Sequence, residues 1–267
     1  KEHEPTLFFG VPTLYAGLLE NQDFCRYKPK RLRLSVSAGE SLPPVIGRRW
    51  SAQTGTDILD GIGSTEMLHI FLSNRPDEVK YGTTGRPVEG YEIKIIDDEE
   101  KEVEPGSIGE LFVSGPSSAL SYWNQRDKSR QTFRGKWTRT GDKYYLDTNG
   151  YYVYCGRSDD MLKVGGIYVS PTEVENTLVN HEAVLEAAVV GRTDQAGLIK
   201  PEAFITLKPG KKNEPGLDEA IKKYVRSRIA PYKYPRWINI VNDLPKTATG
   251  KIQRYKLRQM TSKKEEV

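Results

Sequence analysis

Residues Tyr144 to Tyr154 carry the most constraining pattern in the chain. Two aromatic-rich tracts, Tyr144-Tyr145-Leu146 and Tyr151-Tyr152-Val153-Tyr154, flank Asp147-Thr148-Asn149-Gly150. Strand-forming residues on both sides of an Asn-Gly turn specify an antiparallel hairpin. Folding back there returns Arg157 to the neighbourhood of Asp142, which follows a tight Thr140-Gly141 step. A carboxylate so placed can accept from both hydroxyls of a ribose, and the guanidinium supplies a donor to the same ligand. The plainer alternative is an ion pair at neighbouring strand ends, which contributes little.

A chain of 267 residues with 37% hydrophobic content can bury the core of one large or two ordinary domains. The 40 Lys and Arg against 36 Asp and Glu describe a mixed, solvated surface, so no nucleic-acid partner is expected. Cys25 and Cys155 form no CxxC, which fits a reducing compartment without disulfides. The apolar runs are too short to span a bilayer and no leader is visible; the expectation is a cytoplasmic protein without a membrane partner. The opening EPTLFFGVPTL reads at once as a buried strand entering a Pro-started helix, which suggests a piece of a longer chain.

Taken in order, Thr6 to Phe9 reads as a strand, and Pro12 starts a helix with Leu14, Tyr15, Leu18 and Leu19 on one face. Leu32 to Val36 is a second strand running into Ser37-Ala38-Gly39-Glu40-Ser41. Those small residues let the backbone approach something flat or phosphorylated, or form an ordinary turn capped by Ser41 ahead of Pro43. Ile58 to Thr65 is a third strand, ending in a Gly61/Gly63 loop before Glu66. Strands with helices between them argue an α/β sheet whose ligand site lies at the strand ends. The glycines lack the third member of a dinucleotide fingerprint but leave backbone amides open, and Glu66 offers oxygen to a divalent ion such as Mg²⁺.

From Gly82 the texture changes to short strands, Tyr91 to Ile96 and Gly109 to Ser114, which predict a small β-barrel or sandwich. Ser170-Pro171-Thr172-Glu173 restarts helix with a capping box. Ala183 to Arg192, Ala203 to Leu207 and Ile238 to Val241 read as strands, Leu217 to Arg228 as a helix, and 261–267 as a frayed tail. The expected fold class is α/β: part of a parallel α/β subdomain (1–81) and a β-barrel-like subdomain (82–158) making up residues 1–158, then a compact α+β C-terminal domain over 159–267.

GIGSTE (61–66), GELFVSGPSSALSYWN (109–124), RTGD (139–142), GRSDDMLKVGG (156–166) and PKTATGK (245–251) stand in an order and spacing that resemble the adenylate-forming superfamily. That group includes acyl- and aryl-CoA ligases, firefly luciferase and the adenylation domains of peptide synthetases. DGIGSTEMLHIFLSN and YGTTGRPVEGYEIKI are most similar to benzoate-coenzyme A ligases. The resemblance covers essentially the whole chain but only the latter half of such an enzyme. The phosphate loop and its lysine, which those enzymes carry upstream, have no counterpart before Gly61.

The resemblance implies a role for each matching position. Asp142 would bind the ribose hydroxyls, with Arg157 assisting there and at phosphate. Thr65 and Glu66 would meet the α-phosphate and Mg²⁺. Ala38, Gly39, Glu40, Asp60 and Gly61 would line the adenine, with Ile62 where many relatives have Tyr. Lys251 would contact the carboxylate and α-phosphate during adenylation. Asp159 would be the hinge of a mobile small domain, and Gly165 and Gly166 would border the pantetheine tunnel. His69 is a candidate wall of an aryl pocket or a core histidine. Tyr232 and Lys233, with Arg236, would contact the CoA nucleotide or form a solvated basic loop.

The implied activity is an aryl-CoA ligase acting in aromatic compound catabolism. It would join a benzoate-like carboxylate to CoA at the expense of ATP through an acyl-adenylate, releasing AMP and pyrophosphate. Its partners would be an aromatic carboxylate and the missing N-terminal half of the same enzyme, without which the piece is expected to be inactive. The alternatives are an adenylation domain loading a carrier protein and a non-catalytic AMP- or CoA-binding piece.

Overall fold

A computed structural model describes residues 2–248 and 250–265, with side chains through residue 261. The chain divides into two compact units, Lys1–Asp159 and Asp160–Val267.

The first unit opens with an α/β layer. Strand β1 (Leu7–Gly10) leads through helices α1 (Pro12–Glu20) and α2 (Gln22–Cys25) to β2 (Leu34–Ser37), and α3 (Pro44–Thr54) leads to β3 (Ile58–Gly63). The strands β1, β2 and β3 are parallel neighbours. β4 (Ile70–Ser73) and β5 (Arg86–Pro87) extend the sheet antiparallel. Its core packs Tyr15, Ala16, Leu19, Leu42, Ile46, Trp50 and Ile58. The two large aromatics bury their rings and keep their polar atoms paired: Trp50 Nε1 donates to Ser35 Oγ at 3.1 Å, and Tyr15 OH to the Val36 carbonyl at 2.8 Å.

Two expectations are corrected here. Leu14 is 45% exposed, because the buried face of α1 runs through Pro12, Tyr15, Ala16 and Leu19, and Leu14 is rotated off it. Ser41 does not cap α3. The N-cap is Pro43 without a side-chain bond, and Pro44 at the first turn brings no N–H to satisfy.

The second sheet of this unit is a curled half-barrel ordered β10-β9-β7-β6. It comprises β6 (Glu92–Ile96), β7 (Gly109–Ser114), β9 (Trp137–Leu146) and β10 (Tyr152–Arg157), with β8 (Phe133–Arg134) pairing β9. A short helix α4 (Arg126–Thr132), which no periodicity announced, precedes β8. Phe71 and Leu72 of β4 and Met67 of the loop before it share a core with Ile95, Leu111, Val113 and Tyr144 of the second sheet. The β9–β10 turn is built on Asp147, whose Oδ1 accepts from the N–H groups of Asn149 and Tyr151 at 2.9 Å each.

In the second unit β11 (Leu162–Val164) and β12 (Ile167–Val169) form a hairpin. Gly165 and Gly166 both take positive φ there, 58° and 85°, the geometry a two-residue hairpin turn needs. Helix α5 (Pro171–Val179) follows, and Ser170 Oγ accepts from the Glu173 N–H at 3.1 Å as its N-cap. β13 (Val184–Thr193) pairs antiparallel with β14 (Ile199–Leu207). Helix α6 (Leu217–Arg226) returns the chain to β15 (Trp237–Ile240), parallel to β14. Helix α7 (Arg254–Glu265) closes the unit.

The expected frayed tail is therefore corrected: residues 261–265 are helical and Thr261 is buried. Its hydroxyl donates to Glu202 Oε2 at 2.6 Å, a carboxylate fully out of water that also accepts from Asn239 Nδ2 at 2.9 Å. A buried charge of that kind is stable only with such partners, and here they tie α7 to β14 and β15. Residues 266 and 267 lie outside the described residues.

Candidate active site

The carboxyl ends of the parallel strands β2 and β3 lie side by side, with Ser37 opposite Asp60. Ala38, Gly39 and Glu40 continue from one, and Gly61 and Ile62 from the other. This is where open α/β sheets bind ligands. Gly39 turns the chain at φ 98°. Asp60 is buried; its Oδ2 accepts from the Leu42 N–H at 3.4 Å, and its Oδ1 has no hydrogen-bond partner among the described residues. Burial pushes this carboxyl well above the usual carboxylate range. An orphaned acceptor at the mouth of a sheet suits an incoming N–H donor.

Beyond β3 the chain makes the 64–69 loop. Met67 plugs it into the core below, and Ser64 Oγ accepts from the Met67 N–H at 3.3 Å. Gly63 is required for closure, since a Cβ there would stand 2.4 Å from the His69 carbonyl oxygen. Thr65, Leu68 and His69 are left on the surface. His69 is thus no core histidine: Nε2 bonds Tyr91 OH at 2.9 Å, and that hydroxyl bonds Ser117 Oγ at 2.7 Å.

Tyr122 OH donates to Glu66 Oε1. Burial raises the Glu66 carboxyl, but bonds from Tyr122 and others outweigh it and hold the group below its ordinary value, hence ionised. Tyr122 lies inside the 109–124 segment that carries part of the family resemblance, yet the sequence alone gave it no role. A Tyr in an aromatic-rich strand or loop carries no mark of the carboxylate it will meet.

In the second sheet Arg157 stands opposite Asp142 in the β9–β10 ladder. Its Nη1 donates to Asp142 Oδ1 at 3.1 Å and to the Thr140 carbonyl at 3.0 Å. Gly141, at φ 74°, leaves the space: a Cβ there would be 2.8 Å from Arg157 Nη2. Burial pushes the Asp142 carboxyl up to about 6, although Arg157 and the Thr140 hydroxyl pull it down. Burial above all, and then the Asp142 charge, push the Tyr144 hydroxyl up. Burial and the bond to Glu66 push the Tyr122 hydroxyl up, against a weaker downward pull from the Arg157 charge. Met67, of the loop that carries Glu66, and Tyr144, two residues from Asp142, pack in one core.

In the second unit Lys251 is exposed on the loop before α7, and its N–H donates to Thr247 Oγ1 at 3.1 Å. Gly165 and Gly166 form the tip of the β11–β12 hairpin. Lys233 Nζ grips both oxygens of Glu173, at 2.8 and 2.7 Å, and lies 5.8 Å from the Tyr232 ring centre. At the junction, Ser158 Oγ donates to Glu110 Oε2 at 2.8 Å within the first unit, and Arg258 ion-pairs Asp160 within the second. Asp159 lies between these anchors. Among the described residues no helix is long and apolar enough to cross a membrane, and no group of three His, Cys, Asp or Glu could hold a metal unaided.

The AMP-binding enzyme family pattern matches residues 1–123, and the AMP-binding enzyme C-terminal domain pattern matches residues 173–251. The chain is 61% identical to a benzoate–CoA ligase of Thauera aromatica over 97% of its own length and 49% of that protein's. Its structure resembles that of the anthranilate CoA ligase AuaEII in complex with anthranoyl-AMP, with TM-score 0.94 and 54% identity over 97% of this chain and 50% of that one. A benzoate CoA ligase from Burkholderia xenovorans LB400 gives TM-score 0.91 and 57% identity over 96% of this chain and 52% of that one. The chain thus spans about half the length of the curated relatives it matches. With these two family patterns following one another along it, the chain belongs to the adenylate-forming superfamily of AMP-binding enzymes.

Proposed function

We propose that this chain supplies the nucleotide-closing part of an aryl-CoA ligase, which activates a benzoate-like acid as its adenylate and passes the acyl group to CoA. The observation that carries this reading is the pairing of Asp142 with Arg157 across the β9–β10 ladder. It is supported by the benzoate–CoA ligase likeness over 97% of the chain.

A carboxylate and ATP are both anions, so their encounter needs fixed positive charge in a site poor in water. Asp142 accepts from the ribose hydroxyls and so sets the nucleotide's position. Arg157, anchored on Thr140 and Asp142, has its guanidinium half exposed and reaches toward phosphate. Asp60 Oδ1 takes the adenine amino group. Lys251 meets the carboxylate and the α-phosphate as the acid's oxygen attacks phosphorus and pyrophosphate leaves. Glu66 suits Mg²⁺, which binds through one or two carboxylates plus substrate phosphates and would neutralise the departing pyrophosphate. His69, exposed and oriented by Tyr91, forms a wall of the aryl pocket.

Thioester formation then needs the CoA sulfur to reach the acyl carbon as AMP leaves. The small unit pivots at Asp159, between the anchors at Ser158 and Asp160, and replaces the Lys251 face by the Gly165-Gly166 face. Tyr232 stacks on the CoA nucleotide. Lys233, compensated by Glu173, contributes less charge there than an unpaired lysine would. The reading calls for the preceding half of a longer enzyme, which supplies the phosphate loop and much of the acyl pocket.

Pyrophosphate exchange by the full-length enzyme, measured over benzoates with acetate and a fatty acid as controls, tests the reading. Exchange with benzoates alone is expected, and exchange only with the aliphatic acids would overturn it. The chain by itself should bind AMP without exchanging pyrophosphate.

A further inference from the structure

Lys251 sits on a hairpin that is fastened at both ends by recessed ion pairs. Within it the Gln253 N–H donates to the Pro245 carbonyl and the Thr247 N–H to the Lys251 carbonyl, at 2.8 Å each, and Lys246 bridges Ile252. Ile252 packs on the core of Ala188, Val190, Phe204, Leu244 and Leu257.

On the incoming flank, Lys246 Nζ bonds Glu186 Oε2 of β13 at 2.9 Å and the exposed Asp243 at 3.1 Å. On the outgoing flank, Arg254 Nη2 takes both oxygens of Glu175 at 2.9 Å each, and its Nε reaches Oε1 at 3.3 Å. The same Oε1 accepts the Val189 N–H of β13 at 2.8 Å. Glu175 and Glu186 keep only 12% and 14% of their side chains exposed.

From this geometry we propose, resting on the adenylation role assigned to Lys251, that Glu175 and Glu186 are positioning residues for that lysine. The apolar anchors Leu244, Ile252 and Leu257 already hold the segment on the sheet, but apolar contacts are not directional and let a hairpin slide or tilt. A carboxylate gripping a guanidinium through both oxygens fixes orientation as well as distance. That grip on the outgoing side, with the Lys246–Glu186 ion pair on the incoming side, leaves the backbone of Lys251 little freedom to tilt. Reactions that depend on a placed charge lose about a hundredfold for a displacement of roughly 1 Å. The clamp serves the adenylation step alone, because the second step needs no ammonium at the acyl carbon.

The test uses the full-length enzyme with Glu175→Gln and Glu186→Gln, alone and on a Lys251→Ala background. Benzoate-dependent pyrophosphate exchange and thioester formation from supplied benzoyl-adenylate and CoA are measured separately, with thermal melting of each variant. Exchange is expected to fall by about ten- to a hundredfold while thioester formation changes by less than about twofold. With Lys251 already absent, the glutamate substitutions should subtract nothing more from exchange, as expected for groups acting through one residue.

Unchanged exchange in both glutamate variants, with Lys251→Ala inactive, would overturn the clamp alone. Equal loss in both half-reactions would reduce it to a structural role. Exchange surviving Lys251→Ala would overturn the role of the lysine itself, and the clamp with it. If Glu175→Gln fails to fold, Glu186→Gln and Lys246→Met decide the same outcomes.

Discussion

Arg157 faces Asp142 across the β9–β10 ladder only because a β-bulge intervenes between Tyr154 and Gly156. Up to Tyr154, which faces Tyr144, the register would bring Arg157 opposite Gly141. The extra residue shifts it to Asp142. A one-residue slip sends a side chain to the other face of a sheet, so the bulge decides whether carboxylate and guanidinium meet at all.

The Asp142 carboxyl, held at about 6 by burial, predicts two pH dependences. Nucleotide affinity should weaken as pH falls through 6, because the protonated acid accepts less well from the ribose hydroxyls. Stability should move the other way. The folded state binds the proton more tightly than the unfolded one, so stability is highest below the ordinary value of 3.8 and declines as pH rises to about 6, by on the order of 3 kcal/mol. Urea midpoints of wild type and Asp142→Asn between pH 4 and 7 check this. A slope retained in Asp142→Asn would refute the assignment.

Lys251→Ala in the full-length enzyme should slow pyrophosphate exchange by about a hundred- to a thousandfold, the usual loss for one preorganised charge. Thioester formation from pre-made benzoyl-adenylate should continue. Rapid-quench assays of each half-reaction read the difference, and equal losses would rule out a pivot that swaps faces.

Tyr122→Phe removes the hydroxyl that bonds Glu66 Oε1. With that bond gone, burial acts unopposed by its largest counterweight and the Glu66 carboxyl rises. The Mg²⁺ concentration needed for half-maximal exchange should increase about tenfold, as for loss of a group that orients a metal ligand. A magnesium titration of the variant would expose an unchanged requirement.

Gly63→Ala would place a Cβ 2.4 Å from the His69 carbonyl oxygen, where only backbone can give way. Opening the β3–β4 connection should cost about 1–3 kcal/mol and displace Thr65, Glu66 and His69 together. A raised KM for benzoate with a lowered melting temperature is expected. Wild-type values in both would show that the loop tolerates the strain.

The strands and helices were largely legible in the sequence because their signals are local. Alternating aromatics around Asp147–Gly150 and the Ser170-Pro171 helix start each act within a few residues, and each stands where it was expected. The helix faces were less legible. Leu14 has the apolarity of a core residue, but only the packing of Tyr15 and Ala16 against Trp50 set the rotation of α1. Thr261 looked like a tail residue because its partner, Glu202, is 59 residues away.

By itself, the order of GIGSTE, RTGD, GRSDDMLKVGG and PKTATGK determined the family resemblance and which residues to suspect, since those strings need no neighbours to be read. Tertiary structure alone decided the bulge that turns Arg157 to Asp142, the Tyr122 hydroxyl on Glu66 and the carboxylates that grip Lys246 and Arg254. These contacts join residues 15 to 79 positions apart. Side chains so separated are brought together by the burial of the apolar faces between them, and no local pattern records which polar atoms that burial will leave within bonding distance.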